Sequence, residues 1–529
     1  MKKKLLKELK VSLYAILFAC ATFIAPGVFA QDYQIPFNTG KNASSVIENT
    51  TETLRIQYVF GGLQSFEVKT EKGVFNELIL PQGYSVGELG NPKLPAIKNL
   101  IEIPFGAEAT VAVKGYTVTD YKLSDYGINN MLFPNQPSVR KDQQPEDVKF
   151  EYNAEAYQAS EFTRSEVAGL EVLGVMRGVR LGRLDISPVK YNPATGTIRV
   201  FNNIEVEVSF SGADKSLNSF VKASTFSPYF EAAYGKVLNH TKDAFSDHPD
   251  LTKYPIKMVV VADRMFEEAL QPYFEWKTKK GFKLEIGYTD EIGSTATDIK
   301  NYIFGIYNAA TPQNPAPSFV VLVGDVAQIP ASATGSASSG VTDLYYSSVD
   351  GDIFPDIYLG RLSAQTVEQL NNQLEKILYY EKYEFEDPSY LDDVTLIAGA
   401  DPTWNPRVGQ ATIQYGTQNY FNAAHGYATV NAYLNSYSGC YDPARIAVSM
   451  INYTAHCSPS VWADPSLSVS NVYAFSNTNK YPLAVGNCCQ SSDYSVTECI
   501  GEAWVRAPQK GAVAYIGSVP STYWFEDFY

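Results

Sequence analysis

The chain has 529 residues, enough for several domains and more than one sizeable core. Asp and Glu outnumber Lys and Arg by 57 to 42, for a formal charge of −15. That balance argues against a nucleic-acid partner, which needs a basic face to meet phosphates.

Residues 1–30 read as a secretory signal peptide. A basic "MKKKLLKELK" precedes an apolar stretch that ends in Val28-Phe29-Ala30, an acceptable cleavage site before Gln31. A membrane anchor is the alternative, weakened by Pro26, Gly27 and the polar "QDYQ". No later stretch is long and apolar enough to span a bilayer. The chain therefore reads as exported, with no transmembrane segment. Residues 31–242 are predicted to be β-rich, as in the alternating "TIRVFNNIEVEVSFSG". Histidine and cysteine are not concentrated there, so the region is expected to carry no chemistry. The polar stretch Asn239–Pro255, which contains His240 and His248, reads as a linker.

Beyond Pro255 strand and helix alternate. "IKMVVVAD", "FKLEIGYTD", "SFVVLVGD", "VTLIAGAD", "RIAVSMINYTAH", "YPLAVGNCC" and "AVAYIGSV" are read as strands, with helical spacing between most of them. The pattern predicts a mostly parallel α/β sheet covered on both faces. Ligands of such sheets bind outside the carboxyl ends of the strands. The residues found there are Asp263, Asp325, Asp401, His456 and the Cys488–Cys489 pair.

Cys20 leaves with the signal, and the five remaining cysteines all lie after residue 439. Their clustering points to a site rather than a disulfide scaffold. A cysteine nucleophile needs a neighbouring base and donors for an oxyanion. Of the four histidines only His456 ends an apolar strand, as the cysteine pair does. His456 can therefore face Cys488 or Cys489, and spacing does not choose between them. Zinc is the rival reading, disfavoured because adjacent cysteines lack C-x-x-C geometry. A second constellation, "SSVDGDIFPD", sets Asp350, Asp352 and Asp356 at short intervals around Gly351. This suits a hard cation, with Asp325 able to join, or else is a solvated acidic turn.

"NYTAHCSPSVWADPSLS", "LAVGNCCQSS", "IGEAWVRAPQKGAVAYIGS", "STYWFEDFY", "TDLYYSSVDGDIFP" and "GCYDPARI" resemble the gingipain-type cysteine peptidases, most closely the lysine-specific members. The resemblance is dense from about residue 243 onward. It implies a caspase-like α/β catalytic domain of two subdomains, 243–390 and 391–529, the second incomplete. A β-rich propeptide, 31–242, would precede it and act as inhibitor. It assigns Cys489 as nucleophile, His456 as base and Asp401 as the carboxylate orienting the base. The N–H groups of Cys457 and Cys489 would form the oxyanion hole. Thr454, Asn487, Tyr523, Trp524 and Asp527 would line a pocket for a lysine side chain of protein and peptide substrates. A structural calcium would be held by Asp325, Asp350, Asp352, the Phe354 carbonyl and Asp356, with no organic cofactor. Processing would fall between Lys242 and Asp243. Location would be secreted or at the cell surface, by type IX secretion whose C-terminal signal is absent from this sequence.

Two alternatives accompany this expectation: arginine specificity within the same family, and a catalytically decayed surface or adhesin protein. The sequence departs from the family pattern at position 457, cysteine here and glycine there. If that glycine has positive φ, cysteine strains the oxyanion donor; with negative φ the change is benign. A disulfide between Cys457 and Cys489 would be an oxidative off-switch. The sequence also ends at Tyr529, soon after the pocket residues.

Overall fold

The computed structural model describes residues 33–37, 41–144, 147–241, 254–333 and 341–525. Its N-terminal half is antiparallel β structure, as the alternating sequence predicts. The strands Glu108–Lys122 and Thr197–Ser211 pair along most of their length. Ile198, Val200, Ile204, Val206 and Val208 of the second point into one buried cluster with Leu54, Ile56 and Tyr58. Their period of two buries one face of the sheet. The alternation breaks at Asn202-Asn203, where the ladder bulges and Asn203 is left-handed (φ 48°). Asparagine tolerates that conformation. The Asn202 amide also bonds both the N–H and the carbonyl of Phe60.

The C-terminal half contains two parallel sheets rather than one. The first has four strands in the order Phe282–Tyr288, Ile256–Ala262, Phe319–Val323, Tyr358–Leu362. The second has five, in the order Thr429–Tyr433, Asp393–Ala398, Met450–Thr454, Leu483–Asn487, Ala514–Gly517. Val259, Val260 and Val261 are fully buried because helices cover both faces of the first sheet. Leu270 of Glu267–Lys279 and Leu370 of Val367–Glu381 pack on one side, Ile299 and Ile303 of Ala296–Asn308 on the other. Tyr358–Leu362 and Thr429–Tyr433 are strands the sequence reading passed over. Each is short and flanked by polar turns, so neither presents a long apolar run.

A buried ion cluster joins the two sheets. Arg506, at the end of the helix Ile500–Arg506, meets Asp325 at 2.9 Å and Glu502 at 2.6 Å. Glu502 accepts from Ser363, and Gln365 donates to Asp325. A guanidinium this deep needs carboxylate partners, which explains why Asp325 turns toward it.

Candidate active site

The site begins where the second sheet ends. The strands Met450–Thr454 and Leu483–Asn487 are parallel neighbours, and Thr454 opposite Asn487 is their last pair. His456 and Cys489 each lie two residues beyond that pair. Equal overrun from adjacent parallel strands brings base and thiol to the same sheet edge. Gly486 is required beneath them, because a Cβ there would meet the Tyr515 hydroxyl at 2.1 Å. After Cys489 the chain turns sharply, with Gln490 left-handed at φ 59°.

Asp401 arrives from the other neighbour, Asp393–Ala398, whose last residue pairs with Thr454. Its Oδ2 lies 2.8 Å from His456 Nε2. Its Oδ1 accepts the N–H groups of Thr403 and Trp404, both at 2.7 Å. Burial opposes ionisation of Asp401, but the hydrogen bond from His456 and these two N–H groups overcome it and hold the carboxyl below its usual range. An ionised Asp401 can only accept, so Nε2 carries the proton and Nδ1 is left as the basic atom. The His456 ring also meets Trp524 edge-on, centroids 5.2 Å apart.

Asp401→Asn is expected to lower kcat by roughly 10²–10⁴-fold with little change in KM, read by steady-state kinetics. The sign of its pH dependence follows from the lowered pKa. The carboxylate's support of the imidazole is present above the ordinary carboxylate pKa and is lost only as pH falls through the depressed value. Its acid limit therefore lies below about pH 4.

Cys489 is buried and its thiol is free. Thr522 N–H donates to Sγ at 3.4 Å, and the Thr522 hydroxyl is 3.8 Å away. The expected contact with His456 is not a hydrogen bond here. The two residues leave the sheet in different directions, His456 into the hairpin Cys457–Ser458/Val461–Trp462 and Cys489 into the turn toward Thr522. Catalytic hydrogen bonds of this kind tighten when substrate enters.

Cys457 is bonded to Cys488, with Cα atoms 5.3 Å apart, and not to Cys489. The off-switch disulfide expected from sequence is thus not the one formed. Cys457 is not among the residues with positive φ, so the benign expectation at position 457 holds. His456 carbonyl accepts from Ala463 N–H, which makes Cys457 and Trp462 a non-hydrogen-bonded pair. The Cys457 N–H therefore points out of the ladder. Cys440 and Cys499 are buried thiols, and burial pushes that of Cys440 up to about 11. Neither is a nucleophile under these conditions.

Of the expected pocket residues, Asn487 and Trp524 meet around a side chain that sequence reasoning missed. Lys141, from the N-terminal half, is fully buried. Its Nζ donates to the Asn487 carbonyl at 2.9 Å and to Asn487 Oδ1 at 3.1 Å. It also sits 5.3 Å from the centre of the Trp524 ring, which stacks on Trp404. The segment is docked by its backbone: Lys141 N–H donates to Thr522 carbonyl and Trp524 N–H to Val139 carbonyl. Thr454 lies buried at the strand end and accepts from Asn452, while Tyr523 is exposed and bridges to Arg140. Asp527, Lys242, Asp243 and His248 lie outside the described residues. The N-terminal half thus enters the site, as expected of an inhibitory segment, through a residue that the sequence reading did not single out. The only sequence signal was the basic pair Arg140-Lys141 in a polar stretch.

Other sequence-singled residues have structural partners. Asp263 caps a short helical turn through Met265 N–H. His240 is held between Glu102 and Glu231 rather than in an open linker. Asp325 belongs to the Arg506 cluster and does not join the 350–356 loop. Within that loop Asp352 accepts from Val175 and Phe354 N–H, and Asp356 from Arg177 and Val349 N–H. Burial and the neighbouring charges of Asp350 and Asp352 raise Asp356 to about 7. Among the described residues no three His, Cys, Asp or Glu side chains gather as a set able to hold a metal ion. The full five-ligand calcium set therefore does not fit this arrangement.

The fold and site define a class: α/β proteins that set a thiol and a carboxylate-backed imidazole at the carboxyl edge of a parallel sheet. Residues 251–527 match the profile of peptidase family C25, and residues 40–238 match its propeptide profile. The chain belongs to peptidase family C25. It is 43% identical over 518 residues to Lys-gingipain W83 of Porphyromonas gingivalis, covering 97% of this chain and 30% of that protein. Gingipain R1 of the same organism is 24% identical, over 96% of this chain and 50% of its own length. A solved structure described as "Structure of Protease" is 48% identical with a TM-score of 0.50, covering 54% of this chain and 64% of that one. The chain thus spans less than a third of the length of the Lys-gingipain it matches.

Proposed function

We propose that this chain is the zymogen of an exported cysteine endopeptidase that cleaves after lysine, held latent by its own N-terminal domain. The observation that carries the reading is Lys141, whose ammonium fills a pocket of carbonyl oxygens and an indole face beside Cys489 and His456. A compact ammonium suits separate acceptors and an aromatic face, whereas a guanidinium favours a bidentate fork. The greater identity to Lys-gingipain than to Gingipain R1 supports the same choice.

Lys141 is a blocker rather than a substrate because of its backbone. Gln143 N–H donates to Arg140 carbonyl, so Lys141 occupies a corner of a β-turn. Peptides that pair with a sheet edge bind extended. In the released enzyme, His456 Nδ1 takes the thiol proton and Cys489 attacks the carbonyl that follows a bound lysine. The N–H groups of Cys457 and Cys489 receive the oxyanion. His456 then protonates the leaving amine, and water resolves the acyl-enzyme. Processing between Lys242 and Asp243 would begin this release.

Matched lysyl and arginyl peptide substrates test the specificity. The kcat/KM ratio is expected to favour lysine by about 100-fold or more, worth roughly 3 kcal/mol. Equal rates, or an arginine preference, overturn it.

Export is supported by the basic-apolar start of the sequence, and among the described residues no helix is long and apolar enough to cross a membrane.

A further inference from the structure

We propose that the Cys457–Cys488 disulfide is a positioning clamp that holds the two halves of the oxyanion hole in register. The inference rests on the peptidase reading above and adds a device at the same site. Cys457 directly follows the base His456, and Cys488 directly precedes the nucleophile Cys489. The bond therefore ties together the two segments that leave the sheet after its last pair, Thr454 and Asn487. No ladder hydrogen bond joins these segments to each other beyond that point. One becomes a two-residue hairpin strand and the other a sharp turn through left-handed Gln490.

The N–H of Cys457 points out of its hairpin, and Cys489 N–H is the matching donor on the other segment. Their separation must suit one oxygen atom, and donors of this kind act through placement. Asp401 and Trp524 fix the His456 ring, and the Ala463 N–H and Tyr453 hydroxyl hold the His456 carbonyl within its own hairpin. The covalent bond adds the tie from that peptide across to the segment that carries Cys489. It also occupies Cys488, so the nucleophile cannot pair with its own neighbour. The oxidised protein keeps Cys489 free, which suits a peptidase working outside the cell.

Cys457 is only partly buried, so small thiols reach the bond. A dithiol reductant opens it by two exchanges. One reagent thiolate attacks a cystine sulfur to give a mixed disulfide, and the second reagent thiol displaces it as a cyclic disulfide. The reagent loses two electrons and two protons, and Cys457 and Cys488 each end as a thiol. Cys489 takes no part.

The test uses the full chain after proteolytic activation, assayed on a lysyl peptide under a mild monothiol. Non-reducing peptide mapping records whether residues 457 and 488 are cross-linked. Opening the bond with a dithiol is expected to lower kcat by roughly tenfold to a hundredfold while KM changes less than about twofold. Cys457→Gly and Cys488→Ala should each reproduce that fall. The double variant should be no worse than either single one, and dithiol should no longer affect any of them. A bridge that serves folding alone would lower the thermal midpoint and leave kcat unchanged, which overturns the clamp. So does an active enzyme whose two cysteines map as free thiols. A cross-linked, processed chain without activity overturns the peptidase reading and the clamp together, and is distinguished by its intact map.

Discussion

Cys489→Ala is expected to abolish peptide-bond hydrolysis, with a loss of about 10⁴-fold or more in kcat, while Cys488→Ala is expected to retain measurable turnover. The asymmetry comes from geometry. Both cysteines follow the same strand, but Cys488 is consumed by Cys457, and Cys489 alone is free beside the carboxylate-backed histidine. Removing a nucleophile leaves only binding and oxyanion stabilisation, which is why the loss is so large. Burst kinetics provide a second readout: an acyl-enzyme burst is expected with Cys489 and none without it. A Cys489→Ala chain that still turns over lysyl substrate at more than a hundredth of the parent rate contradicts the assignment.

Lys141→Ala is expected to make the unprocessed chain active and to weaken residual inhibition after cleavage by about 100-fold. The Lys141 ammonium donates two hydrogen bonds to Asn487 and lies against Trp524. Charged hydrogen bonds of this kind contribute about 1.5–3 kcal/mol each, so losing them outweighs ordinary surface contacts. The backbone bridges at Val139, Lys141, Thr522 and Trp524 remain in the variant, so the segment stays docked but no longer plugs the pocket. Lys141→Met separates charge from shape: it fills similar volume without an ammonium and should release inhibition nearly as far as alanine. Activity of unprocessed chains on a lysyl substrate measures both. Unchanged latency in Lys141→Ala would mean that inhibition acts elsewhere, for example through buried Arg177, which bonds the carbonyls of Ala316, Pro317 and Asp356.

Much of the site could be read from the chain because parallel sheets concentrate function at one edge. Apolar runs ending in Asp401, His456 and Cys489 are visible in sequence, and the structure gathers those three segments. What spacing alone could not supply was the choice between two adjacent cysteines. That choice depends on where a third, Cys457, lies in space. Asp325 shows the opposite failure. It ends a strand as Asp401 does, but a buried Arg506 from a helix far along the chain claims it. Lys141 was hidden for a related reason. Its role depends on a docking contact with Thr522 and Trp524, hundreds of residues away, which no local pattern records. The split into two sheets was carried by the family resemblance. The alternation of strands and helices is the same whether one sheet is formed or two.

The most direct measurement is covalent labelling of the processed chain with a thiol-reactive probe carrying a lysyl side chain, located by peptide mapping. The expected result is a single adduct on Cys489, absent from Cys440 and Cys499, blocked in the unprocessed chain and much slower with an arginyl probe. No adduct in the processed chain, or an adduct on another cysteine, would contradict a lysine-directed peptidase built on Cys489 and His456.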